Sequence, residues 1–191
     1  MVFSEKIINA VRLSIRTHEL HQKQKRKGKD VPYIVHPLIV GMILARAGAD
    51  EDTIAAGILH DTIEDSPANN KVTREILEKR FNTKIADTVQ SVSEKSKELS
   101  WEERKKEAVS RIAGYSKESL LVKSADLTSN ISELLADFAK VGDKMFLRFG
   151  GPKNKVIAHY IEAVDEVLKR RFANPLSNDL RRLQEGLKII Q

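Results

Sequence analysis

Residues 54–65 read Ile-Ala-Ala-Gly-Ile-Leu-His-Asp-Thr-Ile-Glu-Asp, an apolar run that passes directly into one histidine and three acidic residues. At helical spacing His60 shares a face with Glu64, and Asp61 shares a face with Asp65. The apolar run belongs in a core, so this negative charge lies at the end of a buried helix and needs a compensating cation. A divalent metal would supply that cation. The alternative is a solvated acidic helix end.

The rest of the chain also shows helical patterning, with no convincing alternating strand. Ser4 is a candidate N-cap, and Met1–Arg12 is interpreted as the start of the first helix rather than a secretion signal. Pro37 suits a first helical turn and Gly48 a helix end. Further helices are predicted after Asp50, after Thr73, and at 84–93, 101–113, 117–139, 155–172 and 175–190. The prediction is an all-α fold, a single domain of about eight to ten helices.

Composition limits the classes of protein to which the chain can belong. The 191 residues are 41% hydrophobic and 31% charged, as in a soluble globular domain. Lys and Arg number 33 against 27 Asp and Glu, and the net charge of +6 favours anionic partners such as nucleotides, nucleic acid or a membrane surface. The absence of cysteine excludes disulfides, thiolate catalysis and Cys-ligated metals. No run of ~18 apolar residues predicts a transmembrane helix, so a cytoplasmic location is expected.

Two other segments offer further metal ligands. His36 lies within Pro-Tyr-Ile-Val-His-Pro at 32–37, where flanking prolines would fix its backbone. Asp126 is a lone acid on an otherwise apolar helix face, with Asn130 one turn later. The alternatives are a first-turn histidine that bonds only to backbone, and an ordinary surface aspartate. A His-Asp pair needs such additional ligands, because adjacent helical side chains point roughly 100° apart.

Together these segments resemble the motifs of the HD phosphohydrolase superfamily, and most closely its alarmone branch, the hydrolase domain of RelA/SpoT-type proteins. That branch has Arg-Lys, Pro-Tyr-Ile-x-His-Pro, Leu-His-Asp-x-x-Glu-Asp and Leu-Val-Lys-x-Ala-Asp-x-x-x-Asn, which the chain matches at 26–27, 32–37, 59–65 and 121–130. The likeness spans about residues 4–170 and, with no synthetase or regulatory segment, is to the stand-alone small alarmone hydrolases. It implies a single HD hydrolase domain over 1–191, with a metal-site core at about 4–140 and C-terminal helices at 153–190 completing the pocket.

The resemblance implies a metal-dependent 3′-pyrophosphohydrolase of guanosine tetra- and pentaphosphate, (p)ppGpp, that releases pyrophosphate and GDP or GTP. The family usually uses Mn²⁺, although two imidazoles and two carboxylates also suit Fe²⁺ or Zn²⁺. Glu64 and Asp65 are implied as catalytic groups, one taking the proton of the attacking water and the other orienting that water or protonating the departing ribose oxygen. The sequence does not say which does which. The implied metal ligands are His36, His60, Asp61 and Asp126.

Polar residues near these motifs are candidate substrate contacts. Five cations fall within 23–29, either as an electropositive entrance for a polyphosphate or as a basic loop that is solvated or contacts nucleic acid. Within that run, Arg26 and Lys27 match the family's substrate-contacting pair. Asn130 matches the residue that reaches the nucleotide sugar. Tyr160 lies where relatives often place an aromatic residue near the base, although it can equally belong to the core.

Three positions after Asp126 depart from the family pattern. Leu127 replaces a usually basic residue, and Thr128 and Ser129 replace a leucine and an aromatic residue or histidine. The base preference, guanine or adenine, is therefore open, and a related enzyme acting on an adenosine alarmone or NADPH is an alternative.

A non-catalytic helical domain that binds nucleic acid or an alarmone is a further alternative. Because all six metal and acid positions carry competent residues, we expect an enzyme with a small nucleotide substrate. A membrane partner is not expected and nucleic acid is disfavoured. The sequence does not indicate the oligomeric state or the metal loaded in the cell.

Overall fold

The computed structural model describes residues 4–94 and 99–191, and within those ranges the chain is mainly α-helical, with short 3₁₀ segments and one π-helical segment. No strand occurs there, and one antiparallel bridge joins Lys25 to Pro32. The all-α prediction is confirmed. Residues 1–3, the beginning of the predicted N-terminal segment Met1–Arg12, lie outside the described residues. The α-helices of the described ranges are α1 (Glu5–Ile15), α2 (Val35–Arg46), α3 (Glu51–Leu59), α4 (Thr62–Asp65), α5 (Arg74–Arg80), α6 (Thr83–Val92), α7 (Trp101–Arg111), α8 (Lys117–Val141), α9 (Lys153–Leu168) and α10 (Ser177–Ile190).

Side-chain caps begin several of these helices where the sequence predicts them. Ser4, Asp50 and Thr73 each accept a hydrogen bond from the backbone N–H three residues later. Asn82 caps α6 in the same way. Each cap satisfies an N–H group that the helix itself leaves without a partner.

The acidic motif is not one continuous helix. α3 ends at Leu59, and α4 begins at Thr62 after a turn at His60 and Asp61. Thr62 Oγ1 donates to the carbonyl of Leu59 at 2.7 Å, and His60 Nδ1 lies 2.8 Å from the carbonyl oxygen of Gly57. These side chains bond to carbonyl groups that would accept hydrogen bonds from backbone N–H groups if α3 continued. The turn places His60 and Asp61 beside each other at the end of α3.

The C-terminal helices differ from the predicted boundaries. α9 ends at Leu168 rather than 172, because the chain turns where the Arg170 guanidinium donates to the carbonyls of Ile112 and Ala113 at 2.6 and 2.5 Å. A π-helical segment, Arg16–Leu20, follows α1 and was not predicted. None of the helices in the described ranges combines the length and hydropathy that crossing a bilayer requires.

Two apolar clusters form the core, and α8 runs through both. The first gathers buried residues of α1, α2, α3 and α6 with Val122 and Ala125 of α8. The second gathers α9 and α10 with Leu127, Ile131 and Leu134. Asp126 therefore lies on α8 at the junction between the two clusters.

Two glycines bring α2 and α3 close together. A Cβ atom on Gly57 would lie 2.2 Å from Leu44 Cδ1, and one on Gly41 would lie 2.6 Å from Ile58 Cγ1. Side chains at these positions would clash, so the close contact depends on glycine. Through this packing the start of α2, which carries His36, lies beside the end of α3.

Candidate metal centre

Two buried histidines direct one ring nitrogen each towards the same group of carboxylates. His36, in the first turn of α2, is 3% exposed, and its Nδ1 lies 3.1 Å from the hydroxyl of Ser129. His60 is 5% exposed, and its Nδ1 donates to the carbonyl of Gly57. A bond to a carbonyl requires the proton on Nδ1, so in the neutral ring Nε2 carries the lone pair. Proteins commonly orient a metal-binding histidine through a hydrogen bond from the ring nitrogen that does not bind the metal.

The carboxylates of Asp61 and Asp126 complete the group. Asp61 Oδ2 lies 3.0 Å from His60 Nε2 and 3.8 Å from His36 Nε2. Asp126 Oδ1 lies 3.3 Å from His36 Nε2 and 3.9 Å from His60 Nε2. Ligand atoms of His36, His60 and Asp126 all lie within 4.8 Å of one another.

These separations fit a single divalent ion. Oxygen and nitrogen ligands at ~2.0–2.6 Å from one ion lie ~3–5 Å from each other. The donor set of imidazole and carboxylate is also one that divalent transition metals bind. His36, His60 and Asp126 therefore fit a metal ion, and Asp61 Oδ2 lies within 3.8 Å of both histidines, while the four-ligand assignment stays a prediction.

The electrostatics of the group favour a positive charge at its centre. Burial lowers the pKa of His60, but Asp61 and Asp126 outweigh it and raise that pKa to about 9. Burial opposes ionisation of Asp61, yet the neighbouring histidines hold its pKa below the usual range. The cluster therefore holds a proton at neutral pH when no metal is bound, and a metal ion must displace that proton.

One cation near the cluster was missed from the sequence. Lys123 Nζ lies 2.8 Å from Asp126 Oδ2, and together with the histidines it holds the pKa of Asp126 well below the usual range against the effect of burial. The other oxygen of Asp126 accepts a hydrogen bond from Asn130 Nδ2 at 2.5 Å. Tyr33 donates to Asp61 Oδ2 at 2.6 Å. Each carboxylate is thus oriented by a neighbour.

The two predicted catalytic acids lie beside the cluster in different surroundings. Burial and the nearby Asp61 raise the pKa of Glu64 to about 8, although the backbone N–H of Glu94 donates to Glu64 Oε2 at 2.7 Å. Asp65 Oδ2 accepts a hydrogen bond from Gln24 Nε2 at 2.9 Å. Glu64 is therefore largely protonated at neutral pH in the absence of a metal.

A cleft opens from the cluster. A cavity of about 140 Å³ lies directly against the four candidate ligands and Glu64. It adjoins a cavity of about 400 Å³, since both are lined by Glu64, Glu94, Lys105, Asn130, His159 and Tyr160. The larger cavity is also lined by the cations Lys25, Arg26, Lys27, Arg104 and Arg148. Such a cleft can admit a phosphorylated nucleotide.

The two predicted phosphate contacts differ in how they are held. Arg26 donates through Nε and Nη2 to Glu133 at 3.0 and 2.6 Å and through Nη2 to Asn130 at 2.8 Å. Burial and the neighbouring Lys105 and Arg104 lower the pKa of Lys27. Arg26 is therefore fixed in one orientation, whereas Lys27 belongs to a group of mutually repelling cations.

The remaining predicted contacts, Asn130 and Tyr160, both line the cleft. Asn130 joins Asp126 to Arg26, so it links the candidate metal site with the candidate phosphate site. Tyr160, on α9, lines both cavities and also packs against the second core cluster. Burial and Asp126 raise the pKa of Tyr160 to about 12, so its hydroxyl is a hydrogen-bond donor at neutral pH.

Several residues of the cleft were not found from the sequence. Arg104 and Lys105 lie in the charged segment 102–107, which cannot be told from a solvated helix face by pattern alone. Their position becomes informative only once α7 is placed beside the acidic motif. Burial lowers the pKa of His159 to about 3, so this cleft residue is neutral at physiological pH.

Comparisons with known proteins identify a family and several relatives. The family model described as "HD domain" matches residues 10–141. A guanosine-3′,5′-bis(diphosphate) 3′-pyrophosphohydrolase MESH1 of Danio rerio is 37% identical over 119 residues, which cover 61% of this chain and 63% of that protein. A guanosine-3′,5′-bis(diphosphate) 3′-pyrophosphohydrolase of Aquifex aeolicus is 44% identical over 75 residues, which cover 39% of this chain and 10% of that protein. The matches thus span less than two thirds of either relative.

A solved structure shares the fold. It is described as a metazoan ortholog of SpoT that hydrolyses ppGpp, and it superposes with a TM-score of 0.77 over 97% of this chain and 98% of that one. The sequence identity is 24%. At that identity the match supports the fold alone.

Proposed function

We propose that this chain, which belongs to the HD domain family, is a metal-dependent (p)ppGpp 3′-pyrophosphohydrolase that releases pyrophosphate and GDP or GTP. The observation that carries the proposal is the group of His36, His60 and Asp126, with Asp61 beside the two histidines, at a cation-lined cleft. The names of the Danio rerio and Aquifex aeolicus relatives support the choice of substrate.

We assign the four residues of that group as ligands of one divalent ion and propose Mn²⁺, with Fe²⁺ and Zn²⁺ as ions that the same donors accommodate. When bound, such an ion lowers the pKa of water and neutralises developing phosphate charge. The hydrogen bonds from Tyr33 to Asp61 and from Asn130 to Asp126 orient the two carboxylates. Lys123 offsets part of the negative charge but leaves a net attraction for a cation.

The two acids have separate roles in the proposal. In the metal-free protein the pKa of Glu64 is about 8, and we assign this buried carboxyl as the acid that protonates the departing ribose 3′-oxygen. Asp65, held by Gln24 through Oδ2, accepts a proton from the attacking water.

Substrate binding follows from the charge of the cleft. Arg26 and Lys27 contact phosphate, Asn130 contacts the sugar, and Tyr160 lies at the base. Arg104 and Lys105 share Glu94 as an ion-pair partner, and the positive charge that remains attracts a substrate with four or five phosphates. A concave cleft of this size admits a nucleotide and excludes a duplex, so nucleic acid is not the proposed partner.

The test is product analysis with purified protein. With Mn²⁺ the protein should convert ppGpp to GDP and pyrophosphate, and a chelator should abolish the reaction. Glu64→Ala and Asp65→Ala should retain metal but lower kcat by roughly 10²-fold or more. Metal loss in these variants equal to that in Asp61→Ala would make them ligands instead. Glu162→Ala, at an exposed position of α9, is the control.

A substrate panel tests the base. Cleavage of an adenosine alarmone or of NADPH in preference to ppGpp would replace the guanosine assignment while keeping the metal site. Binding without turnover of any of them would support the non-catalytic alternative. The single domain over 1–191 and the cytoplasmic location stay predictions.

A further inference from the structure

A buried histidine lies outside the candidate metal group. His18 belongs to the π-helical segment that follows α1 and is 0% exposed. Its ring packs against Tyr33 with a centroid separation of 5.0 Å, and Tyr33 in turn lies 5.8 Å from the ring of His36. A π-helical turn directs side chains away from the positions that a regular helix would give them, and such turns are frequent at functional sites.

His18 Nδ1 lies 3.9 Å from Asp65 Oδ2, beyond hydrogen-bond distance, and one side chain connects the two by hydrogen bonds. His18 Nδ1 lies 2.8 Å from Gln24 Oε1, and Gln24 Nε2 lies 2.9 Å from Asp65 Oδ2. Gln24 donates its amide N–H to the carboxylate of Asp65 and offers its carbonyl oxygen to His18, and an amide oxygen only accepts hydrogen bonds. His18 must therefore carry its proton on Nδ1. The two bonds run in one direction, from His18 through Gln24 to Asp65.

Other contacts of His18, Gln24 and Asp65 agree with this hydrogen-bond direction or hold the backbone of these residues in place. Among the described residues, His18 Nε2 has no hydrogen-bond partner, so a proton there would be buried without an acceptor. Gln22 Nε2 donates to the backbone carbonyl of Asp65 at 2.6 Å, which fixes the main chain of the same residue. The backbone N–H of Gln24 donates to the carbonyl of His18 at 2.8 Å, which holds the two linked side chains together.

We propose that His18 and Gln24 are positioning residues that hold the carboxylate of Asp65 in its reactive orientation. The proposal rests on the proposed function, because it supposes that Asp65 accepts a proton during hydrolysis. His18 fixes which way the Gln24 amide faces, and Gln24 fixes Asp65. Without His18 the amide can rotate and present its oxygen to the carboxylate, which repels it. The metal ligands and the phosphate contacts are not altered by this rotation.

The kinetic test uses substitutions that separate packing from hydrogen bonding. Gln24→Met keeps the length of the side chain but removes the amide, and should lower kcat about tenfold, the effect of one hydrogen bond to a charged group. KM should stay within about twofold because binding is not involved. His18→Leu should lower kcat to a similar extent, and His18→Asn should restore much of it, since the amide nitrogen of asparagine, like Nδ1, is bonded to Cγ. His21→Asn, at the exposed position directly after the π-helical segment, is the matched control.

A double substitution distinguishes a relay from two independent structural effects. Once Gln24→Met has removed the link, His18→Leu should lower kcat little further, whereas independent effects would multiply. Multiplying effects, or an unchanged kcat in Gln24→Met, would overturn the proposal.

A measurement without turnover separates this proposal from the proposed function. In metal-free protein, long-range ¹H–¹⁵N spectra should report the Nδ1–H tautomer for His18, with Nε2 unprotonated. An Nε2–H tautomer would mean that Gln24 faces the other way, and would overturn the proposal even if the protein hydrolyses ppGpp. If wild-type protein lacks hydrolase activity, the proposed function fails, and the proposal falls with it even when the Nδ1–H tautomer is found, since Asp65 then has no proton to accept.

Discussion

Removing the charge of Glu64 should stabilise the metal-free protein at alkaline pH. The side chain is partly buried near Asp61, and these two effects raise its pKa from 4.5 to about 8. The folded state therefore binds this proton more tightly than the unfolded chain does, so the free energy of unfolding falls as the pH rises between those two values. Glu64→Gln cannot ionise and avoids this loss.

The size of the effect follows from the pKa. A shift from 4.5 to about 8 corresponds to ~5 kcal/mol if it is fully expressed. Solvent screening of the partly exposed side chain reduces this to about 2 kcal/mol. Glutamine also keeps an oxygen that can accept the hydrogen bond from the Glu94 backbone. We therefore expect equal stabilities near pH 4.5 and a variant about 2 kcal/mol more stable at pH 9.

Urea unfolding followed by circular dichroism, with a chelator present, measures this difference at pH 5, 7 and 9. Glu162→Gln removes an exposed carboxylate on α9 and should show no such pH trend relative to wild type. Added Mn²⁺ should reduce the advantage of Glu64→Gln, because a nearby cation favours the ionised glutamate. A variant that is less stable than wild type at pH 9, or whose advantage grows towards low pH, would refute the reasoning.

Three further predictions concern the metal, the phosphate contacts and the core. His60→Ala should retain under about a tenth of the ion bound by wild type, as read by elemental analysis, and full retention would remove it from the ligand set. Arg26→Ala should raise KM more than Lys27→Ala, because each charge-assisted hydrogen bond contributes ~1.5–3 kcal/mol. KM should also rise with salt concentration, which a salt series measures. Equal KM values for the two variants would count against the assignment. Gly57→Ala should lower stability by ~1–3 kcal/mol because its Cβ would lie 2.2 Å from Leu44 Cδ1, and an unchanged melting temperature would contradict the packing.

Local patterns in the sequence were sufficient for most of the helices, whereas the candidate ligands depended on the resemblance to a family. Caps such as Ser4 and Asp50 act on backbone groups three residues away, so residue type and spacing identify them. The candidate ligands lie within recognisable motifs, and the structure brings them together. The turn at His60 was not predicted, because it depends on side chains that bond to the carbonyls of the preceding helical turn.

Interactions between distant segments could not be read from spacing. The bond between Gln24 and Asp65 joins residues 41 positions apart, and the bonds of Arg26 to Glu133 join residues 107 apart. Such contacts exist only after the segment between α1 and α2 has packed against α4 and α8. Lys123 is close in sequence to Asp126, but its role as a partner depends on the burial of both side chains.

The ion pairs of Arg26 determine which part of substrate binding this residue can perform. Glu133 accepts two of its hydrogen bonds and offsets its charge, and Arg26 and Lys29 together lower the pKa of Glu133 to about 2 in spite of its burial. A guanidinium has five N–H donors, and among the described residues the two on Nη1 have no acceptor. Arg26 can therefore bind a phosphate oxygen in a fixed direction but adds little net charge to the cleft.

Lys27, which has no such acidic partner among the described residues, contributes the long-range attraction that salt screens. Orientation and attraction are thus supplied by adjacent residues, and for this reason the two substitutions should differ in their dependence on salt as well as in KM.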